Sequence, residues 1–568
     1  MKKFLVILFL SLVCSFLSAT GFPEQESSQD VNNADEFGIT FLHSNDGESA
    51  FLANDYSGSV AQFIHKIQSL RDNSPYPVIT ISAGDNFLTG LQYAAADGTA
   101  DSHVLNLAGY DLSAVGNHEF DLGIDGFERF LAGANFKVIS SNLDFSEEES
   151  LEKYIGTTIL PWYVMEVETS SGMKKVGFIG ATTESISYIS SPGDVQIFDV
   201  EESLTQAVED LQKQGVTIIV SLSHLQNVDE EIKLASAVDG VDIFIAGGGD
   251  NLLGNDTNDY LFRENRDGEV LIDQPEGPYP YETLSPSGEP VLVVSTEGSY
   301  NYIGRLMVTF DNNGIITGID HRSGPVGIHP SDPSDAEVET QIVEPVTEAI
   351  TAFQSQVIGS TAVHLDGTRN LVRSQETDFG NLITDAYVAI SREMHDQPVD
   401  FAVTNGGGIR QSIVIPENSD ITMFHVLTAL PFSNTLTVIE SMGANEIKDV
   451  FEHSIANLPD PSGRFLQASG IEVTYDPSRE AGDRVRRIKI GTNVLVSRGN
   501  VVDLENSYNF VTNSFLASGG DGYETLANHP STLKSQLGIS YANALYEFVD
   551  QAQTIDSLSP PNPRLIEE

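Results

Sequence analysis

Five short apolar runs in the first half of the chain each stop at a residue able to bind a metal. Residues 39–42 lead to Asp46, 78–82 to Asp85, 217–222 to His224 and 241–246 to Asp250, and the middle one leads into Gly116-Asn117-His118-Glu119-Phe120-Asp121. Runs of Val, Ile, Leu and Phe bounded by Gly and polar residues read as buried strands. In open α/β sheets, ligands gather beyond the carboxyl ends of the strands. Five strand ends carrying Asp, Asp, Asn-His, His and Asp therefore predict an α/β fold whose strand tips converge on one site.

The residue types set the chemistry of such a site. Two divalent cations about 3.5–4 Å apart can activate a water and clamp both oxygens of an in-line phosphoryl displacement. Asp85, in Ser82-Ala83-Gly84-Asp85-Asn86, is the natural bridge, because one carboxylate offers an oxygen to each ion. Asp46 and Glu48 stand two apart after a strand, so alternation predicts that they face the same side. Asn117 adds a neutral oxygen and His224 an imidazole. His118 follows a ligand directly and can lie beside the ions, where it would protonate a leaving oxygen or stabilise charge growing on phosphate. Asp121 is placed to orient that ring and keep it cationic. His43 sits in a strand pattern and reads as buried and structural. His364, His395, His425 and His453 show no metal spacing.

In order along the chain, these segments resemble the secreted 5′-nucleotidase family. The matching pieces are Leu42-His43-Ser44-Asn45-Asp46, Gly84-Asp85, the hexapeptide 116–121 and Leu222-Ser223-His224. In the second half they are Asn405-Gly406-Gly407-Gly408-Ile409-Arg410, Pro431-Phe432-Ser433-Asn434 and Gly519-Gly520-Asp521-Gly522-Tyr523. The resemblance implies an amino-terminal metallophosphatase domain (a β-sandwich flanked by helices) at 37–330. A linker helix at 331–357 and a carboxy-terminal α/β nucleotide-recognition domain at 358–568 follow. It further implies a pocket in which Arg373, Asn405 and Arg410 hold phosphate or ribose, Phe432 and Phe515 pinch the base, and Asp521 accepts a ribose hydroxyl. Taken singly, these residues read as core plugs, surface cations and plain turns; their joint order is what makes a pocket of them.

Two departures from the family pattern concern the metal site. Glu48 stands where the family has His, and Gly248, in Gly247-Gly248-Gly249-Asp250, stands where it has another metal-binding His. Asp250 takes the position of the last ligand. The set is then Asp46, Glu48, Asp85, Asn117, His224 and Asp250. It reads either as decay toward a non-catalytic nucleotide-binding protein or as a site rebuilt for harder cations. Oxygen-rich sites suit Mn²⁺, Mg²⁺ or Ca²⁺ at least as well as Zn²⁺. The expected activity is hydrolysis of nucleoside monophosphates. The same scaffold in the family also supports 2′,3′-cyclic-nucleotide phosphodiesterase/3′-nucleotidase and UDP-sugar hydrolase activities.

Composition narrows the partners. The 568 residues exceed what one core accommodates. A formal net charge of −53, from 82 acidic and 29 basic residues, argues against nucleic-acid partners and against docking on anionic membranes. The expected partner is a small nucleotide. Lys2-Lys3, an apolar stretch over 4–16 and small residues at Ser18-Ala19-Thr20 read as a secretory signal in 1–20, followed by a flexible lead in 21–36. The mature chain is expected to be secreted or periplasmic, with no stable membrane insertion. Its one cysteine, Cys14, falls inside the signal, so no disulfide or thiolate ligand is expected. Residues 63–73 and 203–215 are predicted crossover helices, 251–290 a polar surface insertion near the site mouth, and 335–356 a helix that Pro345 could kink.

Overall fold

The computed structural model describes residues 36–568 except 89, 97–98, 191, 256–261, 265–269, 396, 411–412, 433 and 561–562. Residues 1–35, which carry the expected signal and most of the expected lead, lie outside the described residues.

The apolar runs become strands, and they divide between two sheets. One sheet has the order Ile316–Ile319, Tyr302–Asp311, Glu36–Ser44, Val78–Ser82, Leu112–Ala114, Lys137–Ile139, Ile159–Leu160, with Gly324–Gly327 also on Tyr302–Asp311. The other has the order Tyr281–Leu284, Pro290–Val294, Ile243–Gly247, Ile218–His224, Gly172–Thr182, Trp162–Thr169. Glu36–Ser44, Val78–Ser82 and Leu112–Ala114 run parallel in the first sheet, and Ile218–His224 and Ile243–Gly247 run parallel in the second. Their carboxyl ends therefore open on the same side. Phe41, Ile81, Val220, Leu222, Phe244 and Ile245, all fully buried, belong to one apolar cluster shared by both sheets. Burial on both faces explains why these strands read as continuous apolar runs rather than alternating ones.

The predicted crossovers form as Val60–Asp72 and Val200–Gln212, each starting three residues earlier than the sequence suggested. Ser59 and Asp199 set those starts, because their side chains accept backbone N–H bonds of the first turn. Within the 251–290 segment, the described residues include strands. Phe262–Glu264 pairs with Val270–Ile272, and Tyr281–Leu284 joins the second sheet against Pro290–Val294. Within the 335–356 segment a π turn, Glu339–Val343, precedes the α-helix Glu344–Ser355, and Pro345 stands in the first turn of that helix, where its missing N–H matters least.

Beyond residue 357 a five-stranded sheet has the order Leu466–Ser469, Phe401–Asn405, Ser507–Asn513, Thr435–Gly443, Lys534–Ser540. Helices Asp378–Met394 and Tyr541–Ala552 contribute to its apolar core. A second five-stranded sheet ends on Leu565–Glu567, which runs parallel to Ile471–Tyr475. Arg564 pins that last strand: it is fully buried, 2.8 Å from Asp385 Oδ1, and donates to the Ala468 and Ser559 carbonyls.

Candidate active site between the two halves

Asp46, Asp85 and His224 are the tightest cluster, each offering one ligand atom within 4.8 Å of the others, and all three are buried. Their backbones explain the convergence. Gly116 lies so close to Asp85 that a Cβ there would sit 2.1 Å from Asp85 Oδ1, so only glycine lets the two strand-end turns touch. Asp46, Glu48, Asp85 and Asp250 all adopt left-handed φ, at 49°, 51°, 52° and 52°. Asp tolerates this region and Glu does so reluctantly; such strain gathers at functional sites.

These turns, rather than strand alternation, direct Asp46 and Glu48. The strand ends at Ser44, and the left-handed residues beyond it break the period of two. Glu48 lines the mouth of the cavity described below, whereas Asp46 is buried beside His224. Asp250 is exposed at the edge of the site. Its Oδ1 accepts from the Gly298 N–H (3.1 Å), and it shares a small cleft with Asp273, Glu276 and Glu297.

The cluster has the chemistry of a cation site. His224 Nδ1 donates to the Ala83 carbonyl at 2.8 Å, so Nε2 is the ring nitrogen that faces the acids. Nε2 is buried without a hydrogen-bond partner, 3.0 Å from Asp85 Oδ2 and 4.0 Å from Asp46 Oδ1. Burial, reinforced by Asp85 and Asp250 against the pull of His224, pushes the Asp46 carboxyl up to about 6. Burial also pushes Glu48 up to about 8, with Asp250, Asp46 and Asp85 adding to it against His118. Acids crowded this closely are the ones a bound cation stabilises.

His118 stands beside the cluster as expected. Its backbone N–H donates to Asp85 Oδ1 (2.7 Å), its Nδ1 lies 2.9 Å from Asp121 Oδ2, and its Nε2 lies 3.9 Å from Asp85 Oδ2. Burial alone would lower its pKa; Asp121, Asp85 and Glu48 together raise it well above the usual histidine range.

Gly248 is bound into the turn. Its φ is 89°, and a Cβ there would sit 2.8 Å from the Gln226 nitrogen and 3.0 Å from the His224 ring. Its N–H donates to both oxygens of Asp46, at 3.1 and 3.0 Å.

Two residues that the sequence pattern does not single out organise this centre. Glu119, fully buried, accepts from the backbone N–H groups of Asp85 (3.0 Å), Asn86 (2.8 Å) and Gly116 (2.7 Å), and from the Asn86 amide (3.0 Å). Gln226 donates from Nε2 to Asn117 Oδ1 at 2.6 Å. Glu119 lies within the hexapeptide, which is a signal for it; nothing local marks Gln226.

The second-half residues face the same space. A cavity of about 890 Å³ is lined by Glu48, Asn117 and His118 at one end and by Arg373, Asn405, Arg410, Phe432, Phe515 and Asp521 at the other. Asn405 Nδ2 donates to Asp521 Oδ2 at 2.6 Å. The Arg410 guanidinium lies 5.4 Å over the Phe432 ring, and Phe515 lies over Gly520. Each ring is thus backed on one face, and both also pack against the core beneath them. Burial, with Arg369 and Arg410 nearby, lowers the pKa of Arg373, and its Nε is buried without a partner. His43 is buried against Tyr279, 2.8 Å from its hydroxyl.

Fold and site together define a two-domain phosphoesterase: strand tips of a metallophosphatase-type domain face the recognition pocket of a second α/β domain. Residues 357–528 match the family model for the 5′-nucleotidase C-terminal domain. The chain is 30% identical to the 5′-nucleotidase of Bos taurus over 535 residues, covering 91% of this chain and 89% of the relative. It is 32% identical to the snake venom 5′-nucleotidase of Naja atra over 521 residues, covering 87% and 93%. Among solved structures it resembles a 5′-nucleotidase precursor from Thermus thermophilus, with 32% identity, a TM-score of 0.67 and coverage of 94% and 99%. The chain belongs to the 5′-nucleotidase family and is a phosphoester hydrolase.

Proposed function

We propose that the chain hydrolyses nucleoside monophosphates to nucleoside and phosphate at a centre loaded with two divalent cations. The observation that carries this reading is the single cavity with acids, Asn117 and His118 at one end and paired arginines and phenylalanines at the other. Asp46, Asp85, Asn117 and His224 would hold the cations, with Glu48 and Asp250 at the rim. Such cations would supply Lewis acidity to the phosphate and to the attacking water. The oxygen-rich donor set favours Mn²⁺, Mg²⁺ or Ca²⁺ at least as much as Zn²⁺. The fit of Gly248 within its turn supports a rebuilt site over a decayed one.

The chain's own groups do the rest. Asp121 holds His118 Nδ1, which turns Nε2–H toward the reacting phosphate, and the neighbouring carboxylates keep the ring protonated. His118 then delivers that proton to the leaving oxygen or stabilises charge on the phosphate. Arg373 and Arg410 draw the anion into an otherwise acidic surface. The faces of Phe432 and Phe515 opposite their backing stack on the base, worth about 1–3 kcal/mol and tolerant of base identity. Asp521, steadied by Asn405, accepts a ribose hydroxyl. The amino-terminal 1–20 segment supports secretion or a periplasmic location, and no helix among the described residues is long and apolar enough to cross a membrane.

The test is phosphate release from AMP, 3′-AMP, 2′,3′-cyclic AMP, UDP-glucose and an aryl phosphate, each after dialysis against Mn²⁺, Ca²⁺ or Zn²⁺. The expected result is cation-dependent release that is fastest from AMP. Equal rates on AMP and the aryl phosphate would remove the nucleotide assignment.

A further inference from the structure

We infer that Gln226 is a positioning residue that fixes the side-chain amide of Asn117 so that its oxygen is offered to a cation. The inference rests on the reading of Asn117 as a ligand and adds a residue that the family pattern does not supply.

Gln226 follows strand Ile218–His224 by two residues and holds φ at 80°, a region glutamine rarely enters. Its turn has no slack. Asn227 caps helix Val228–Ala235 through a bond from the Asp229 N–H, and Asn251 Oδ1 accepts from the Val228 N–H at 3.0 Å. Held there, Gln226 places Nε2 2.6 Å from Asn117 Oδ1, at the wall of the cavity it shares with Glu48 and His118.

The consequence follows from amide chemistry. The oxygen and nitrogen of an asparagine side chain are nearly the same size, so shape alone does not decide which faces the acids. A carbonyl oxygen has two lone pairs. A donor on one of them identifies that atom as the oxygen and leaves the second for a cation. Without the donor the amide can turn over and present NH₂, which repels a cation. Partners of ligating groups do this work in metal sites generally, and their loss typically costs about 10–100-fold in metal affinity.

The placement is tied to Gly248. A side chain at 248 would press on the Gln226 backbone nitrogen, and one at 249 would come within 3.0 Å of the Gln226 carbonyl. An imidazole at 248 and this Gln226 turn therefore exclude each other. The chain has the second arrangement.

The experiment uses the whole protein stripped of metal, titrated with Mn²⁺ by calorimetry, with bound metal counted by mass spectrometry. Gln226→Met keeps the length and removes the donor; Gln226→Ala removes both. Both variants should bind Mn²⁺ about 10–100-fold more weakly than wild type. Their metal-free melting temperatures should match wild type, and activity should return at saturating Mn²⁺. Wild-type affinity in Gln226→Met overturns the inference while leaving the metal reading intact. Failure of the wild-type protein to take up Mn²⁺, Ca²⁺ or Zn²⁺ overturns the metal reading, and this inference with it. If Gln226→Met melts early in the metal-free state, Gln226→Ala decides by the same comparison. Early melting of both assigns Gln226 a structural role and overturns the inference.

Discussion

Glu119→Gln should damage the centre although it changes one atom and removes one charge. The Glu119 carboxylate accepts four N–H bonds, two on each oxygen: Asp85 and Gly116 on Oε2, Asn86 backbone and side chain on Oε1. Glutamine keeps only one oxygen. Whichever way its amide turns, two buried donors meet an NH₂ group. An unsatisfied buried donor costs about 1–3 kcal/mol, so the substitution should cost roughly 2–6 kcal/mol. For a domain of this size that corresponds to a fall of roughly 5–20 °C in the first melting transition. Turnover should suffer more than stability, because Asp85 and the turn carrying Asn117 and His118 both hang from this carboxylate. A displacement of the order of 1 Å at reacting groups costs about 10²-fold. Scanning calorimetry and steady-state kinetics on AMP, at fixed Mn²⁺, read both quantities. A Glu119→Gln protein that melts within a degree of wild type and keeps kcat within twofold would refute the reasoning.

Asp85→Asn should abolish turnover and reduce bound metal while leaving a folded protein by circular dichroism; retained kcat would remove Asp85 from the centre. Phe515→Ala should raise KM for nucleotides by roughly 5–160-fold, the equivalent of one stacking contact, with little change in kcat. Unchanged KM removes the stacking claim. Gly248→His, which restores the family residue, should lower activity and stability, because φ at 89° and the Gln226 nitrogen leave no room for a side chain; a more active variant would show that the turn yields. His43 sets an acid limit, since burial holds its imidazole down to about 3 in the folded state. The unfolded chain takes that proton near pH 6.5, so the contribution is present above pH 6.5 and is lost as pH falls toward 3, at about 1.4 kcal/mol per pH unit. Urea midpoints of wild type and His43→Gln between pH 7 and 4.5 should converge as pH falls, and parallel curves would contradict this.

Much of the centre is legible in the sequence because the strands that carry it are buried on both faces. A polar residue at the end of such a run interrupts an otherwise apolar pattern, and Asp46, Asp85 and His224 announce themselves that way. The same logic does not reach Glu48. Strand alternation does not extend past Ser44 into a turn where left-handed backbone governs direction, and no local pattern encodes that sign of φ. Glu119 and Gln226 escape notice for a different reason. Their contribution consists of hydrogen bonds to turns up to 109 residues away, which exist only once the strands are stacked. Within the polar 251–290 segment, composition hides the short alternation of Tyr281–Leu284, which becomes a strand because Pro290–Val294 offers it an edge.

The charges of the cavity share one logic. At one end, burial and mutual repulsion push Asp46 and Glu48 above the ordinary carboxylate range. At the other, burial and neighbouring cations lower Arg373 and Arg410; Arg369 acts on both. Each end crowds some like charges together, Asp46 with Asp85 and Asp250 at one and Arg373 with Arg369 and Arg410 at the other, and a ligand of opposite sign would relieve each crowding. Screening over about 8 Å at physiological ionic strength confines this to the cavity. A net charge of −53 spread over the surface therefore does not decide whether a phosphate enters. On the proposed function, the few arginines at the wall would do so, drawing the phosphate toward the acids that would hold the cations.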